Sequence, residues 1–173
     1  MPTPEFVLEL RKKIGHDLLW LNGVTGCVLD DRGRLLLGRR SATGEWAMVY
    51  GINEPGEQPA DTVVREIKEE TGIDAVVTDL VAVTSSSRVI TYANGDNTMY
   101  MDHSFLCALK PGGNAEPYVG DEESLNVGWF ELDDLPEPLA ASTVERLKLF
   151  RRYLDNKRRG DAHALFVADG VQR

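Results

Sequence analysis

The chain has 173 residues, of which 42% are hydrophobic and 27% charged, and its 19 Lys and Arg against 28 Asp and Glu give a formal net charge of −9. This length predicts one domain, residues 1–173, that buries roughly 70% of the surface of its unfolded chain. The acidic balance excludes a general nucleic-acid coat and a binder of anionic membranes, because both need clustered positive charge. No apolar run approaches the ~20 residues of a membrane span and no signal peptide is recognisable. We therefore expect a cytoplasmic protein in which Cys27 and Cys107 are buried, reduced thiols.

The first part of the chain predicts a short helix, an apolar patch and a β-hairpin. Apolar residues at helical spacing favour a helix over Pro4–Ile14. The apolar patch Leu18–Leu21 is interpreted as an edge strand or a dimer contact. Two apolar runs, Val24–Leu29 and Arg34–Leu37, form the predicted hairpin, because Gly33 in the intervening turn is free to adopt a positive φ.

The rest of the chain predicts two longer helices and further strands. A helix spans Pro59–Thr71, with a proline suited to its first position and Gly72 suited to a left-handed stop. The last helix opens at the capping box Ser142–Glu145. The remaining predicted strands are Trp46–Tyr50, Ala75–Thr84, Met99–Leu109 and Val127–Leu132. Because strands outnumber helices, the pattern predicts a mixed sheet covered by helices, of α/β or α+β class. Residues 1–21 are expected to be a helical extension and residues 160–173 a flexible tail.

Three glutamates crowd the end of the second predicted helix. Glu66, Glu69 and Glu70 fall on one arc beside the apolar stripe of that helix. Their mutual repulsion and their position in the last turn both oppose stability, unless a cation neutralises them. Hard divalent ions such as Mg²⁺ and Mn²⁺ prefer clustered oxygen ligands. The alternative is a solvated acidic face in which Arg65 and Glu69 form an i,i+4 pair.

The segment Gly51–Ile73 resembles the Nudix box, G-x5-E-x7-R-E-U-x-E-E-x-G-U with U apolar. All fixed positions agree, namely Gly51, Glu57, Arg65, Glu66, Ile67, Glu69, Glu70, Gly72 and Ile73. Trp46 before the box and the segment Trp129–Pro136 resemble further family features. The chain is therefore identified as a member of the Nudix hydrolase family (the MutT/Nudix superfamily). The resemblance implies an α/β/α sandwich, with a mixed β-sheet between helices.

The resemblance also implies a reaction, in which water attacks the phosphorus of a nucleoside diphosphate linked to another group. Glu66, Glu69 and Glu70 would hold Mg²⁺ or Mn²⁺, which bridges the pyrophosphate oxygens and activates water. In parts of the family the general base is the equivalent of Glu66. In other parts it is a glutamate of a later loop, for which Glu123 is the candidate and Glu122 the neighbour that would replace it.

Other box residues are implied to support the site. Arg65, placed with the catalytic set, and Glu57 would pair and orient the box, while Gly51 and Gly72 would supply backbone freedom. The chain departs from the Pro-Gly-Gly that often precedes the box, because Tyr50 stands before Gly51. The carbonyl of Tyr50 would still be a metal ligand, whereas its ring would stack on a base or simply pack.

The substrate is left open by the sequence. Arg39, Arg40 and Arg88 are candidate phosphate-binding residues, and Tyr92 is a candidate contact for a nucleoside. We expect a metal-dependent pyrophosphohydrolase acting on a nucleotide triphosphate, ADP-ribose or another nucleotide sugar. The alternative is a Nudix-fold module that binds a nucleotide without turnover. A diphosphate isomerase of this fold would need a catalytic cysteine and a changed box. Since the protein is anionic, metal is expected to be required for substrate binding as well as for chemistry. The sequence is compatible with a homodimer and leaves the oligomeric state open.

Overall fold

The computed structural model describes residues 3–168 and 171–172. Its three helices are α1 (Glu5–Ile14), α2 (Pro59–Thr71) and α3 (Ala141–Arg158). Its strands are β1 (Leu19–Leu29), β2 (Leu35–Arg40), β3 (Trp46–Ala47), β4 (Val49–Ile52), β5 (Ala75–Ser85), β6 (Ile90–Thr91), β7 (Asn97–Leu109), β8 (Ser124–Phe130), β9 (Val167–Ala168) and β10 (Val171–Gln172). No described helix is long and apolar enough to cross a membrane.

The main sheet is mixed, and the two longest paired strands lie at its centre. Its backbone order is β3-β2-β1-β7-β5, with β4 paired to β1, β6 to β7 and β8 to β2. β1 and β7 run parallel in continuous register from Leu19 opposite Thr98 to Leu29 opposite Ala108. All other pairs in the sheet are antiparallel. The remaining strands, β9 and β10, form a separate two-stranded ribbon.

A hydrophobic core lies on each face of the sheet. Phe150 and Tyr153 of α3 pack in one core with side chains that include Leu35 and Leu37. Val63 and Ile67 of α2 pack in the other. Leu35, Leu36 and Leu37 are all fully buried, because successive residues of a strand point into opposite cores and both are covered by a helix. This arrangement confirms the expected α/β/α sandwich.

Three local predictions are modified by the structure. The capping box at Ser142 is wrong: the N-cap of α3 is Ala140, two residues before the predicted one, and it has no side-chain cap. The Thr143 hydroxyl instead accepts a hydrogen bond from the Met48 backbone N–H at 3.1 Å, so it serves the adjoining strand. The apolar patch Leu18–Leu21 leads into β1 and pairs with β7 from Leu19 onward. In the segment expected to be a flexible tail, Leu165 is buried and bonded through its N–H to the carbonyl of Val81.

Candidate active site

Helix α2 sets the direction of the box glutamates. It begins at Pro59 and ends at Gly72, whose φ of 71° forms the predicted left-handed stop and whose N–H bonds to the carbonyl of Lys68. Glu66 and Glu70 lie on the buried side of the helix, whereas the Glu69 side chain is 50% exposed. The three carboxylates of the predicted acidic arc therefore occupy two different environments.

Glu66 is a buried carboxylate without hydrogen-bond partners. Its exposure is 0%, and among the described residues neither Oε1 nor Oε2 accepts a hydrogen bond. The Nη1 of Arg65 lies 2.9 Å from Oε1, an ion-pair distance without hydrogen-bond alignment. A Cβ on Gly51 would stand only 2.4 Å from Cγ of Glu66, so only glycine allows this close approach. Burial raises the pKa of Glu66 to about 8, against the opposing effect of Arg65.

Glu70, four residues after Glu66 on α2, is also buried. It is 6% exposed, and burial raises its pKa to about 7. The positive charge of Arg40 opposes this rise, while the negative charges of Asp121 and Glu123 add to it. Glu70 therefore connects the box helix to a later loop that is itself acidic.

Arg65 braces the box from the outside. Its Nε and Nη2 donate to the two oxygens of Glu57, at 2.8 and 3.0 Å, in the bidentate geometry typical of strong arginine–carboxylate pairs. Its Nη1 also donates to Oε2 of Glu69 at 3.1 Å. These bonds hold the pKa of Glu57 at about 2. This is the pairing that the box resemblance implied, and it fixes Arg65 beside Glu66.

The loop before β8 is clamped to the end of α2. The N–H groups of Tyr118 and Gly120 donate to the carbonyls of Thr71 and Glu70, at 3.0 and 3.1 Å. A Cβ on Gly72 would fall 2.1 Å from the Tyr118 ring, and one on Gly120 would fall 1.9 Å from the carbonyl oxygen of Glu69. Backbone packing this close explains why both positions are glycines. It also carries the loop directly toward Glu70.

This clamp separates the two candidate loop bases. Glu123 lines the cleft beside the box, and its Oε2 lies 3.7 Å from Nη1 of Arg40. Its backbone carbonyl accepts a 2.7 Å bond from the N–H of Ser41, which anchors the loop to the end of β2. Glu122 is exposed and does not line the cleft.

A cleft of about 660 Å³ extends from the box to the N-terminal helix. Its lining at the box end includes Glu70, Gly51, Tyr50, Arg40 and Glu123. Its far end includes Val7 and Arg11 of α1, together with Ile90, Tyr92 and Tyr100 around the β6–β7 turn. Glu66 and Glu69 do not line this cleft. Glu70 is thus the box carboxylate that faces it.

The predicted substrate contacts separate into two groups. Tyr92 lines the far end of the cleft, where its hydroxyl hydrogen-bonds that of Tyr100 at 2.8 Å. Arg40 lines the box end. Arg39 bonds to the carbonyl of Gly44 at 3.0 Å, and Arg88 is exposed, and neither lines the cleft.

Asp102 and Arg146 are among the charged residues of the cleft that sequence reasoning missed. Neither residue was singled out as a site residue from the sequence. They form an ion pair in which Nη2 of Arg146 is 3.0 Å from Oδ1 of Asp102. The alternation in β7 is the one signal that pointed to this face, because it places Tyr100 and Asp102 on one side of the strand.

Tyr50 has a packing role that the sequence left undecided. It pairs with Thr25 in the antiparallel β1–β4 ladder, so its backbone is extended and not left-handed. Its hydroxyl forms a 2.6 Å hydrogen bond with that of Thr143, and its ring contacts the guanidinium groups of Arg146 at 4.8 Å and Arg40 at 5.8 Å. Burial raises the pKa of the Tyr50 phenol.

The donor set at the box suits a divalent cation in its chemistry. Within residues 3–168 and 171–172, no three His, Cys, Asp or Glu side chains are grouped closely enough to hold a metal ion. However, both oxygens of Glu66 are buried and accept no hydrogen bond from the described residues, and a buried carboxylate with only one ion-pair contact is costly. A hard cation beside Glu66 and Glu70 would supply the missing partner and favour their ionised forms.

Comparison with known proteins places the chain in a family. The profile of the NUDIX domain matches residues 20–153. The human protein "Nucleoside diphosphate-linked moiety X motif 6" is 32% identical over 74% of this chain, but the match spans only 41% of that relative. A "MutT-like protein" of Streptomyces ambofaciens is 33% identical, with 72% of each chain covered.

A solved structure agrees with the sequence matches. The structure titled "UDP-X diphosphatase" is similar with a TM-score of 0.62 and 26% identity, over 90% of this chain and 71% of that one. A single family therefore accounts for the box, for the Arg65–Glu57 pair that supports it and for the sandwich fold. The chain belongs to the NUDIX domain family, the family of the Nudix hydrolases.

Proposed function

We propose that this protein hydrolyses the pyrophosphate bond of a nucleoside diphosphate derivative with the help of a bound divalent metal ion. The observation that carries the proposal is the buried carboxylate of Glu66, which accepts no hydrogen bond from the described residues, beside Glu70 at the end of a cleft large enough for a nucleotide. The relatives' names agree in substrate class, since one refers to nucleoside diphosphate-linked moieties and another to a diphosphatase of UDP derivatives. A nucleotide triphosphate, ADP-ribose and other nucleotide sugars all fall within this class.

The metal ligands in this proposal are the carboxylates of Glu66, Glu69 and Glu70, with the carbonyl of Tyr50. Bound Mg²⁺ or Mn²⁺ would neutralise charge on the pyrophosphate oxygens and lower the pKa of water. Arg65 holds Glu57 and stands 2.9 Å from Glu66, so it orients a ligand without facing the cleft itself.

Glu123 is the proposed general base. It lines the cleft next to Glu70, where its carboxylate is able to accept a proton from attacking water. Glu66 is fully buried beneath Gly51 and does not line the cleft, which suits a ligand better than a base. The loop clamp through Gly120 keeps Glu123 at this position.

A nucleotide library incubated with Mg²⁺ or Mn²⁺ tests the proposal, with release of phosphate or nucleoside monophosphate as the readout. We expect turnover of at least one nucleoside diphosphate derivative and its loss in Glu70→Gln. Glu123→Gln should lower kcat by roughly 10²–10⁴-fold, the usual range for a general base. Glu122→Gln is the matched control and should retain activity. Tight nucleotide binding without turnover in any metal would instead establish a binding module.

The oligomeric state is a separate prediction. Leu18 and Trp20 are 54% and 59% exposed beside α1, so the predicted contact around Leu18–Leu21 presents apolar surface. Sedimentation of the protein and of Trp20→Ser tests a dimer through this surface. A monomer at all concentrations would exclude it.

A further inference from the structure

Arg146 of helix α3 lines the cleft and is held on two sides. Its Nη2 and Nε lie 3.0 and 3.4 Å from the two carboxylate oxygens of Asp102. Its guanidinium carbon lies 4.8 Å from the centroid of the Tyr50 ring. A planar guanidinium that is paired along one edge and stacked on an aromatic ring has a fixed orientation.

The groups that hold Arg146 are themselves fixed. Asp102 is 5% exposed and accepts 2.7 Å bonds from the hydroxyls of Thr25 and Ser104. Tyr50 is tied through its hydroxyl to Thr143. The position of Arg146 is therefore set by the protein before any ligand binds, which lowers the entropic cost of using it for binding.

One edge of this guanidinium is unused. No hydrogen bond among the described residues involves Nη1 of Arg146, although the side chain lines the cleft. Arg11, another arginine of the cleft, differs in this respect. It donates to the backbone carbonyls of Gly15, Asp17 and Asn97 and to the Thr98 hydroxyl, and so it serves to hold the fold together.

Contacts connect Arg146 to both ends of the cleft. The guanidinium carbon of Arg40 lies 5.8 Å from the centroid of the Tyr50 ring, on which Arg146 also stacks. The positive charge of Arg40 in turn lowers the pKa of Glu70. Toward the far end, Asp102, the partner of Arg146, lies close to Tyr100, because both side chains approach Gly23. A Cβ added to Gly23 would be 3.7 Å from Oδ1 of Asp102 and 3.3 Å from Cδ1 of Tyr100. Arg146 thus lies between the box and the two tyrosines of the far end.

We propose that Arg146 binds a phosphate group of the substrate through its free Nη1, with Tyr50 and Asp102 as positioning residues. This inference rests on the proposed function, since it names how that site would hold a nucleoside diphosphate. It explains the departure from the usual box sequence, because a glycine at position 50 would remove the ring on which Arg146 stacks. It also revises an expectation drawn from the net charge of −9. In this proposal an arginine of the cleft binds phosphate directly, so part of phosphate binding is independent of metal.

Binding of inorganic pyrophosphate in EDTA, measured by calorimetry, tests the inference without requiring turnover. We expect wild-type protein to bind and Arg146→Gln to bind about ten-fold or more weakly, as for loss of a hydrogen bond between charged groups. Arg146→Lys should bind at an intermediate level, since it keeps the charge but loses the planar fork. Tyr50→Leu should bind more weakly than wild type because it removes the ring on which Arg146 stacks. Tyr50→Phe should fall between the two because it keeps the ring but loses the bond to Thr143. Arg151→Gln, on the same helix and paired with exposed Asp133, is the matched control and should bind as wild type.

Arg146→Gln leaves Asp102 buried without its cation, so the double variant Asp102→Asn/Arg146→Gln is the second measurement. It should fold, as judged by circular dichroism, and show the same loss of pyrophosphate binding. Unchanged binding in a folded double variant, or no binding by wild type in EDTA, would overturn the inference.

The two proposals fail separately. With an active nucleotide in hand, Arg146→Gln should raise KM more than it lowers kcat, as expected when an interaction is similar in the ground state and the transition state. Turnover that is unaffected by the double variant would refute the role of Arg146 and leave the proposed function standing. Pyrophosphate binding that depends on Arg146, together with no turnover of any nucleotide, would refute the proposed function alone.

Discussion

The buried carboxylate of Glu66 makes the stability of the metal-free protein fall as pH rises. Burial raises the pKa of Glu66 in the folded protein to about 8, from an ordinary value of 4.5. Between these values the folded protein keeps a proton that the unfolded chain releases, so increasing pH favours unfolding. Glutamine is nearly isosteric and has no charge to bury. Glu66→Gln should therefore stabilise the metal-free protein, and increasingly so at higher pH.

The structure also sets the size of this effect. A shift from 4.5 to about 8 corresponds to roughly 5 kcal/mol, at about 1.4 kcal/mol per pKa unit. The glutamine amide lacks partners in the same place, which offsets on the order of 1–3 kcal/mol. The expected net gain at pH 8 is about 2–4 kcal/mol, or roughly 5–15 °C in Tm for a chain of this length. Glu70 has a pKa of about 7, so the stability of Glu66→Gln should still decrease with rising pH, but less steeply than that of wild type.

Thermal unfolding in EDTA from pH 5.5 to 8.5, followed by circular dichroism, measures the effect. Wild type and Glu66→Gln should agree within a few degrees at pH 5.5 and diverge toward pH 8.5. Addition of Mg²⁺ or Mn²⁺ at pH 8 should stabilise wild type more than the variant. Glu69→Gln, on the same helix but half exposed, should keep most of the wild-type pH dependence, because the charge of Glu69 raises the pKa of Glu66 less than burial does. Parallel curves for wild type and Glu66→Gln would refute the reasoning.

Three further predictions concern the structures that support the site. Glu57→Gln should lower the free energy of unfolding in urea by about 1–2 kcal/mol at pH 7. This deficit should vanish as pH falls from about 4.5 toward 2, because Glu57, with its lowered pKa, stabilises the fold only while it is ionised. A deficit that stays constant with pH would contradict this reasoning. Gly120→Ala should lower the free energy of unfolding by roughly 1–3 kcal/mol and reduce turnover, since its Cβ would overlap the Glu69 carbonyl. Gly38→Ala is the control and should be near wild type, because its Cβ would be 3.5 Å from the nearest atom, Oγ of Ser124. Equal melting temperatures for the two variants would refute the clamp. Thr143→Val should cost about 1–3 kcal/mol because it leaves the buried N–H of Met48 unpaired, and Ser at this position should restore most of the loss.

The box helix was predictable from the sequence because its signals are local. Proline at its start, glycine at its end and apolar residues at helical spacing all lie within the segment they describe, and α2 begins and ends where they predict. The implied pair between Arg65 and Glu57 is also short-range, since eight residues separate them. The division of the acidic arc into two buried carboxylates and one exposed carboxylate was less accessible, because it depends on Gly51 approaching from another strand.

The cleft was not predictable from local pattern for a physical reason. Arg146 meets Asp102 across 44 residues, and only the packing of α3 on the sheet brings them together. The same packing explains why the capping-box prediction at Ser142 was wrong. Thr143 is a residue type that caps helices, but its hydroxyl is bonded instead to Met48, between β3 and β4, and to Tyr50 of β4. Tertiary contacts here override a local preference.

The two ends of the cleft have different origins along the chain. The box end is built from the box and the clamped loop, which lie inside the part of the chain matched by the NUDIX domain. The far end includes Val7 and Arg11 of α1, which precede the first matched residue, 20. Arg11 joins this helix to the β6–β7 turn through Asn97 and Thr98. The far end is therefore built jointly by α1, which precedes the matched segment, and by the β6–β7 region, which lies within it. Helix α1 thus adds to the cleft a wall that the NUDIX domain match does not include.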